Sequence, residues 1–356
     1  MTQDIAARVS AEELGRFMRE ALRRCDVDET AAEAVARALL TASRMGTDSH
    51  GLRLLPHYIR ALQGGRIQAR PAMRFTRRLP ATGYLDAGDG LGHPAGYQAI
   101  ERAIEMAEET GMGAVAVGNS SHFGAAGCYA LEAARRGYMG MAFCTADALV
   151  NLHDGTHAFH GTNPIAFAAP VAAGQPYLVD MATSSIPWNR VQQYRAIDRT
   201  LPSNVVVDDR GGLTTDPHTA ASLLPLGGAD FGFKGAALAG MVEVLSASLS
   251  GMLHGFRLLP MLGEDMHTPR GIGHFFLVMN PGAFVEREVY ERAIAAYLED
   301  LRAQPAVEGR EVLAPGDREW RCQAQRDAEG IPLDSANVAA YRQLAEALDV
   351  EPLPLT

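Results

Sequence analysis

The chain has 356 residues, too many for one ordinary hydrophobic core, and its 47% hydrophobic and 21% charged residues are an ordinary globular balance. A net charge of −10 without a basic block weighs against nucleic acid and anionic membrane surfaces, which need clustered Lys and Arg, so an anionic ligand must be held by a local site. Cys25, Cys128, Cys144 and Cys322 show neither metal-ligand nor disulfide spacing, and no apolar run reaches transmembrane length, so a cytoplasmic protein without a structural metal is expected.

The chain opens with helices. Ser10 and Glu13 form a capping box before Leu14, Phe17, Met18 and Leu22 at helical spacing. A second helix runs from Asp28 to Gly46, and a third starts near Leu52 and stops at Gly64-Gly65. From about residue 80 short β-like runs alternate with helices, the texture of an α/β lobe. The strand candidates are Tyr84 to Asp86, Ala114 to Val117, Tyr138 to Cys144, Ile165 to Ala168, Tyr177 to Met181, Val205 to Val207 and His274 to Met279. Helices are placed at Pro94 to Thr110, Ala126 to Arg136, Gly235 to Leu253 and Phe284 to Leu301. After a linker bearing Pro305, Gly309, Pro315 and Gly316, a last helix at Ser335 to Leu348 packs back on the N-terminal ones.

Several constellations could carry chemistry. Gly90-Leu91-Gly92-His93-Pro94-Ala95 imitates a dinucleotide fingerprint, but the next strand runs into Gly118-Asn119 and offers no acid for a ribose. His50, with Ser49 and Arg53, could exchange a proton with a substrate hydroxyl while the Arg clamps a carboxylate; otherwise it caps the third helix. His122 sits in a strand-to-helix loop, Asn119-Ser120-Ser121-His122, whose small neighbours leave the imidazole accessible, and an ordinary loop histidine is the equal alternative. Lys234 is the single lysine of the chain, and Asp230 to Gly235 would open a long apolar, buried helix. Its free N–H groups and the ammonium suit a phosphate. His153, Asp154, His157 and His160 are close enough to consider a divalent metal, although Gly155 argues against an ordered scaffold and a pocket loop is the preferred reading.

Taken together, Asp48 to Gly51, Asn119 to His122, Gly161-Thr162-Asn163-Pro164, Asp180-Met181-Ala182-Thr183-Ser184, Thr214 to Pro217, Leu224 to Gly228 and Phe233-Lys234-Gly235 stand in an order that resembles the malate/L-lactate dehydrogenase family. That family has a non-Rossmann, L-sulfolactate-dehydrogenase-like fold. The resemblance implies an α/β protein with a mixed-sheet nicotinamide-cofactor lobe (79–299) and a helical lobe built from both chain ends (1–78 with 300–356). It implies a homodimeric NAD(P)-dependent oxidoreductase acting on a small anionic 2-oxo acid, 2-hydroxy acid or cyclic imino acid, with NADPH somewhat ahead of NADH.

On the same pattern Thr145, Asp180, Met181, Ala182, Thr183, Phe233, Lys234, Pro315, Gly316 and Asp317 hold the cofactor. Asp147, His153, His157, His160 and Thr162 line the substrate pocket, and His50 and His122 stand at the reacting carbon, one of them the acid/base; Ser49 and Arg53 accompany His50 on the local reading, Arg53 lying one place before the family's Arg position. Hydride reaching a 2-oxo carbon builds charge on oxygen that an imidazolium can neutralise. The sequence departs from the family at Leu54, where many members have Arg, at Asn189-Arg190 in place of Gly-Lys, and at His153 to His160 in place of Pro-Trp-Gly-Gly. An unusual substrate is therefore expected. The competing expectations are a metal-dependent lyase or hydrolase using residues 153–160, and a catalytically inactive binding relative.

Overall fold

The computed structural model describes residues 5–356, and the two chain ends meet in it: the strand Ala7–Val9 pairs antiparallel with Ile331–Leu333. The helices Ala11–Arg23, Glu29–Arg44 and Leu55–Gln63 follow, and the C-terminal helix Ser335–Leu348 packs on them. Their capping is local chemistry. Ser10 accepts from the Glu13 amide at 3.2 Å and Asp28 from the Ala31 amide at 2.9 Å, satisfying amides that have no partner within the helix. Glu13 does not close the capping box; it pairs with Arg16 instead. Leu14, Phe17, Met18, Leu22, Tyr58 and Tyr341 join one apolar cluster, each large side chain contributing about 1.5–3 kcal/mol of burial.

A seven-stranded sheet organises the second cluster. Its order is Arg74–Leu79, Thr82–Asp86, Met112–Ser120, Ile272–Met279, Met139–Cys144, Ile165–Ala169, Tyr177–Met181. Only Thr82–Asp86 and Met112–Ser120 run parallel; every other pairing is antiparallel, which is not the doubly wound order of a Rossmann domain. The helices Gly92–Thr110 and Gly127–Arg135 lie on this sheet. Small residues bring the first of them close, since a Cβ on Gly113 would lie 2.1 Å from the Ala103 carbonyl oxygen. A smaller five-stranded sheet, ordered Leu213–Thr214, Val206–Val207, Ser222–Leu223, Val150–Asn151, Ala158–His160, sits around Val150, Val191, Val206 and Leu223.

Three expectations need correction. The helix expected from Gly235 begins at Gly228, because Gly227 and Gly228, at φ +102 and +64, supply the left-handed turn that starts it. It ends at Glu243 and continues as a π-helical turn over Val244–Ser248. It is not buried all round either: Phe231, Phe233, Met241, Val244, Leu249 and Leu253 form an exposed apolar series along it and beyond. Finally, the stretch read as linker ends in the helix Asp317–Glu329, whose predominantly polar sequence lacks an apolar stripe to announce it. Strand Arg74–Leu79 escaped notice for a related reason, being an exposed edge that carries three arginines.

Candidate active site

His50 stands on a short 3₁₀ turn, Asp48–His50, just past the helix Glu29–Arg44. The turn is gripped from the far end of the chain. Arg326 donates to Asp48 through both terminal nitrogens, at 2.5 and 2.9 Å, and also to the Ser43 carbonyl. Ser43 Oγ in turn accepts from the Leu52 amide at 2.9 Å, and Gly51 packs so tightly that a Cβ there would lie 2.3 Å from that hydroxyl. The third helix begins at Leu55, so His50 does not cap it. Its Nδ1 lies 2.8 Å from Ser49 Oγ.

His122 follows the strand Met112–Ser120, and its loop is pinned by the neighbouring serines. Ser121 Oγ accepts from the Gly92 amide at 2.9 Å, and Ser120 Oγ meets His274 Nε2 at 2.8 Å. His122 Nδ1 lies 2.7 Å from the Tyr58 hydroxyl and 3.3 Å from the Gly124 amide nitrogen. The packing brings the two histidines together: their ring centroids are 5.7 Å apart with planes at 25°. Burial pushes His50 down to about 4. His122 is held well below the usual histidine range by burial and then by His50, His57, His93 and Arg270 around it. Both rings are neutral at pH 7 and only partly exposed.

Sequence reasoning missed the arginine that shares a cavity with His122. Arg270 lines a small cavity with His122, Ser120, Ser121, His57 and Arg66. Its side chain is 4% exposed and donates to Asp147 Oδ1 at 2.5 Å and to the Leu259 carbonyl at 2.8 Å. Asp147, expected in the substrate pocket, thus neutralises and aims a cation, its other oxygen accepting from the Met261 amide. Nothing in the local sequence around Arg270 distinguished it from thirty other arginines; Tyr58 was likewise hidden among core positions of its helix. Arg53 does not belong here. It is exposed and lines a separate cleft with Asp48, Pro332, Asp334 and Asn337, because on the turn after His50 it points the other way.

A cavity of about 410 Å³ includes in its wall Thr47 and Ala125, each three residues along the chain from one of the histidines. Apolar side chains (Ala42, Met45, Leu178, Leu313) form one part of its lining, and Asp180, Met181, Pro315 and Gly316 form another. Asp180 Oδ2 accepts from the Gly127 amide at 2.9 Å, at the N-terminus of the helix Gly127–Arg135. The carboxyl is ringed by protein yet faces the open cavity, and its pKa is pushed up to about 6, chiefly by burial and further by Glu319, against the Gly127 amide.

Other expected cofactor residues stand apart from this lining. Asp317 is turned inward, accepting from the Ala314 amide and pairing with Arg302, and its neighbours Arg318 and Glu319 face the cavity in its stead. Thr183 is buried, with its hydroxyl donating to the Thr162 and Asn163 carbonyls. Thr145 is buried against Gly273, and Ala182 is half-buried. Lys234 is the seventh residue of its helix, so the expected helix-terminal phosphate site does not form; its exposed ammonium lies 5.3 and 5.9 Å from the ring centres of Phe231 and Phe233. The donor set still suits a dinucleotide: an apolar slot, carboxylates able to accept from ribose hydroxyls, and nearby cations.

The 153–160 histidines each have a different environment. His153 packs edge-on to Phe233, His157 Nδ1 meets its neighbour Thr156 at 2.7 Å, and His160 is buried at the end of a strand. Among the described residues no three His, Cys, Asp or Glu side chains could hold a metal ion together. Asp154 turns the loop at φ +60, and the expected metal-dependent site has no ligand set there.

The sequence matches the family described as malate/L-lactate dehydrogenase over residues 9–341. It is 34% identical to (2R)-3-sulfolactate dehydrogenase (NADP(+)) of Chromohalobacter salexigens over 341 residues, covering 95% of this chain and 98% of the relative. It is 31% identical to ureidoglycolate dehydrogenase (NAD(+)) of Escherichia coli O157:H7 over 327 residues, 92% of each chain. The solved structure of malate dehydrogenase from Entamoeba histolytica superposes with a TM-score of 0.91 at 29% identity, over 98% of this chain and 99% of that one.

Proposed function

The chain belongs to the malate/L-lactate dehydrogenase family, and from that premise we propose that it moves a hydride between NAD or NADP and C2 of a small 2-hydroxy acid, or of the related 2-oxo or cyclic imino acid, at His50 and His122. One observation carries the reading. Two histidines from distant parts of the chain stack beside a buried arginine, next to a cavity edged by carboxylates. Arg270 favours an anionic substrate and is the anchor for its carboxylate. The nicotinamide, when bound, supplies or accepts the hydride. Asp180 offers an acceptor to ribose hydroxyls, while His50 and His122 handle the substrate oxygen.

The exposed apolar series from Phe231 to Leu253 supports a homodimer, since a patch of that kind on a lone chain would be costly in water. The test is twofold. NADH and NADPH fluorescence should change on binding, and NAD(P)H absorbance should fall with at least one compound in a panel of 2-oxo acids and cyclic imines. Failure to bind either nucleotide would overturn the proposal.

A further inference from the structure

We propose that Tyr58 is a positioning residue that, with the Gly124 amide, holds His122 as its neutral Nε2–H tautomer, so that His122 donates a hydrogen bond to the substrate oxygen while His50 carries the proton. This rests on the dehydrogenase reading and assigns the two histidines different work. A backbone N–H can only donate, and that of Gly124 is aimed at His122 Nδ1 from 3.3 Å. Nδ1 therefore presents a lone pair, and the Tyr58 hydroxyl, 2.7 Å from the same atom, donates to it as well. Protonating Nδ1 would set N–H against N–H.

The surroundings reinforce this. Tyr58 is fully buried and stands edge-on to His93, with ring centroids 4.7 Å apart, which fixes where its hydroxyl points. The groups facing His122 are His50 from its turn, His57 and Tyr58 from the helix Leu55–Gln63, His93 from the helix Gly92–Thr110, and Arg270 from the segment before Ile272–Met279. The four basic groups among them disfavour a further positive charge. His50 differs. Its Nδ1 meets a serine hydroxyl, which can donate or accept, so its other nitrogen is free to take up or release a proton.

In the oxidative direction the substrate O–H bond breaks and its proton goes to His50 Nε2. The freed pair becomes the second C–O bond as the C2 hydrogen leaves with its electron pair, which an oxidised nicotinamide would accept when bound. The His122 N–H bond stays intact, polarising that oxygen throughout.

Three measurements test the assignment. Nitrogen-15 spectra of the histidines should show His122 Nδ1 unprotonated from pH 8 to pH 5, and Tyr58→Phe should admit the second tautomer, lower kcat about tenfold and leave the affinity for NADH or NADPH unchanged. His122→Gln, which keeps an N–H donor, should retain turnover within about tenfold of wild type with the same pH limb, whereas His122→Ala loses about 10²–10³-fold. His50→Gln should lose about 10²–10⁴-fold together with that limb. A protonated Nδ1 in the wild type, or a His122→Gln variant as inactive as His122→Ala, overturns the assignment, and neither result depends on Tyr58→Phe folding. Wild-type protein that binds no nicotinamide nucleotide overturns the dehydrogenase reading instead, with the nitrogen-15 spectra still deciding the tautomer.

Discussion

The histidines of residues 153–160 are crowded in sequence yet join no metal-ligating group among the described residues, while His50 and His122 are remote in sequence and stacked 5.7 Å apart. The difference lies in what holds each backbone. His50 and His122 leave turns tied down by Arg326, Ser43, Ser121 and Tyr58, whose bonds reach across the fold. The 153–160 loop makes side-chain hydrogen bonds to near neighbours, as in the Thr156–His157 contact, and meets the rest of the fold through ring contacts such as His153–Phe233. Sequence density is a poor guide to convergence; long-range hydrogen bonds that fix a turn are a better one.

The sharpest way to break this contrast is substitution on both sides. His50→Ala should reduce turnover about 10²–10⁴-fold with cofactor affinity kept, as a fluorescence titration would show. His157→Ala, by contrast, should stay within about twofold, and chelators should leave activity unchanged. A comparable loss at His157 would erase the distinction.

Next in size is Arg270. Arg270→Leu leaves Asp147 and the Leu259 carbonyl without their buried donor, so KM for the acid should rise about 100-fold and stability fall by about 3–5 kcal/mol in urea unfolding. The Arg326–Asp48 clamp should matter through His50. Arg326→Ala should cost about 3 kcal/mol and lower kcat, without the rise in KM that marks the Arg270 variant.

Acid should act on the buried imidazoles in a definite direction. His50 and His57 are lowered to about 4, and His93 and His274 to about 3, all chiefly by burial. Below pH 6.5 the unfolded chain takes protons that the folded one refuses. Their stabilisation is therefore complete above that pH and lost as pH falls toward 3–4, at up to about 1.4 kcal/mol per pH unit for each group. Urea midpoints measured from pH 7 to pH 4.5 should fall, and His93→Phe should flatten the slope.

Much of this was legible beforehand, for identifiable reasons. Tyr177–Met181 and Ser335–Leu348 have the bounds expected of them, because strong periodicity or a clear Asp334 cap marks them. The mixed sheet and the pairing of His50 with His122 came with the family resemblance, not with spacing. What stayed hidden depends on partners far along the chain. Arg270 and Asp147 take their roles from each other across 123 positions, and Tyr58 meets His122 across 64. The start of the Lys234 helix turned on a Gly227-Gly228 conformation that competes with a later, equally plausible glycine start at Gly235.

The central claim is that the chemistry happens between His50 and His122 and not at the histidine-rich loop. A crystal structure with NADH or NADPH and an unreactive 2-oxo acid analogue tests it directly. The account predicts the analogue's carboxylate near Arg270, its 2-oxo oxygen within hydrogen-bond reach of both histidines, and the nicotinamide C4 about 3–3.5 Å from its C2. A nicotinamide or an analogue seated instead on His153, His157 and His160 would contradict it.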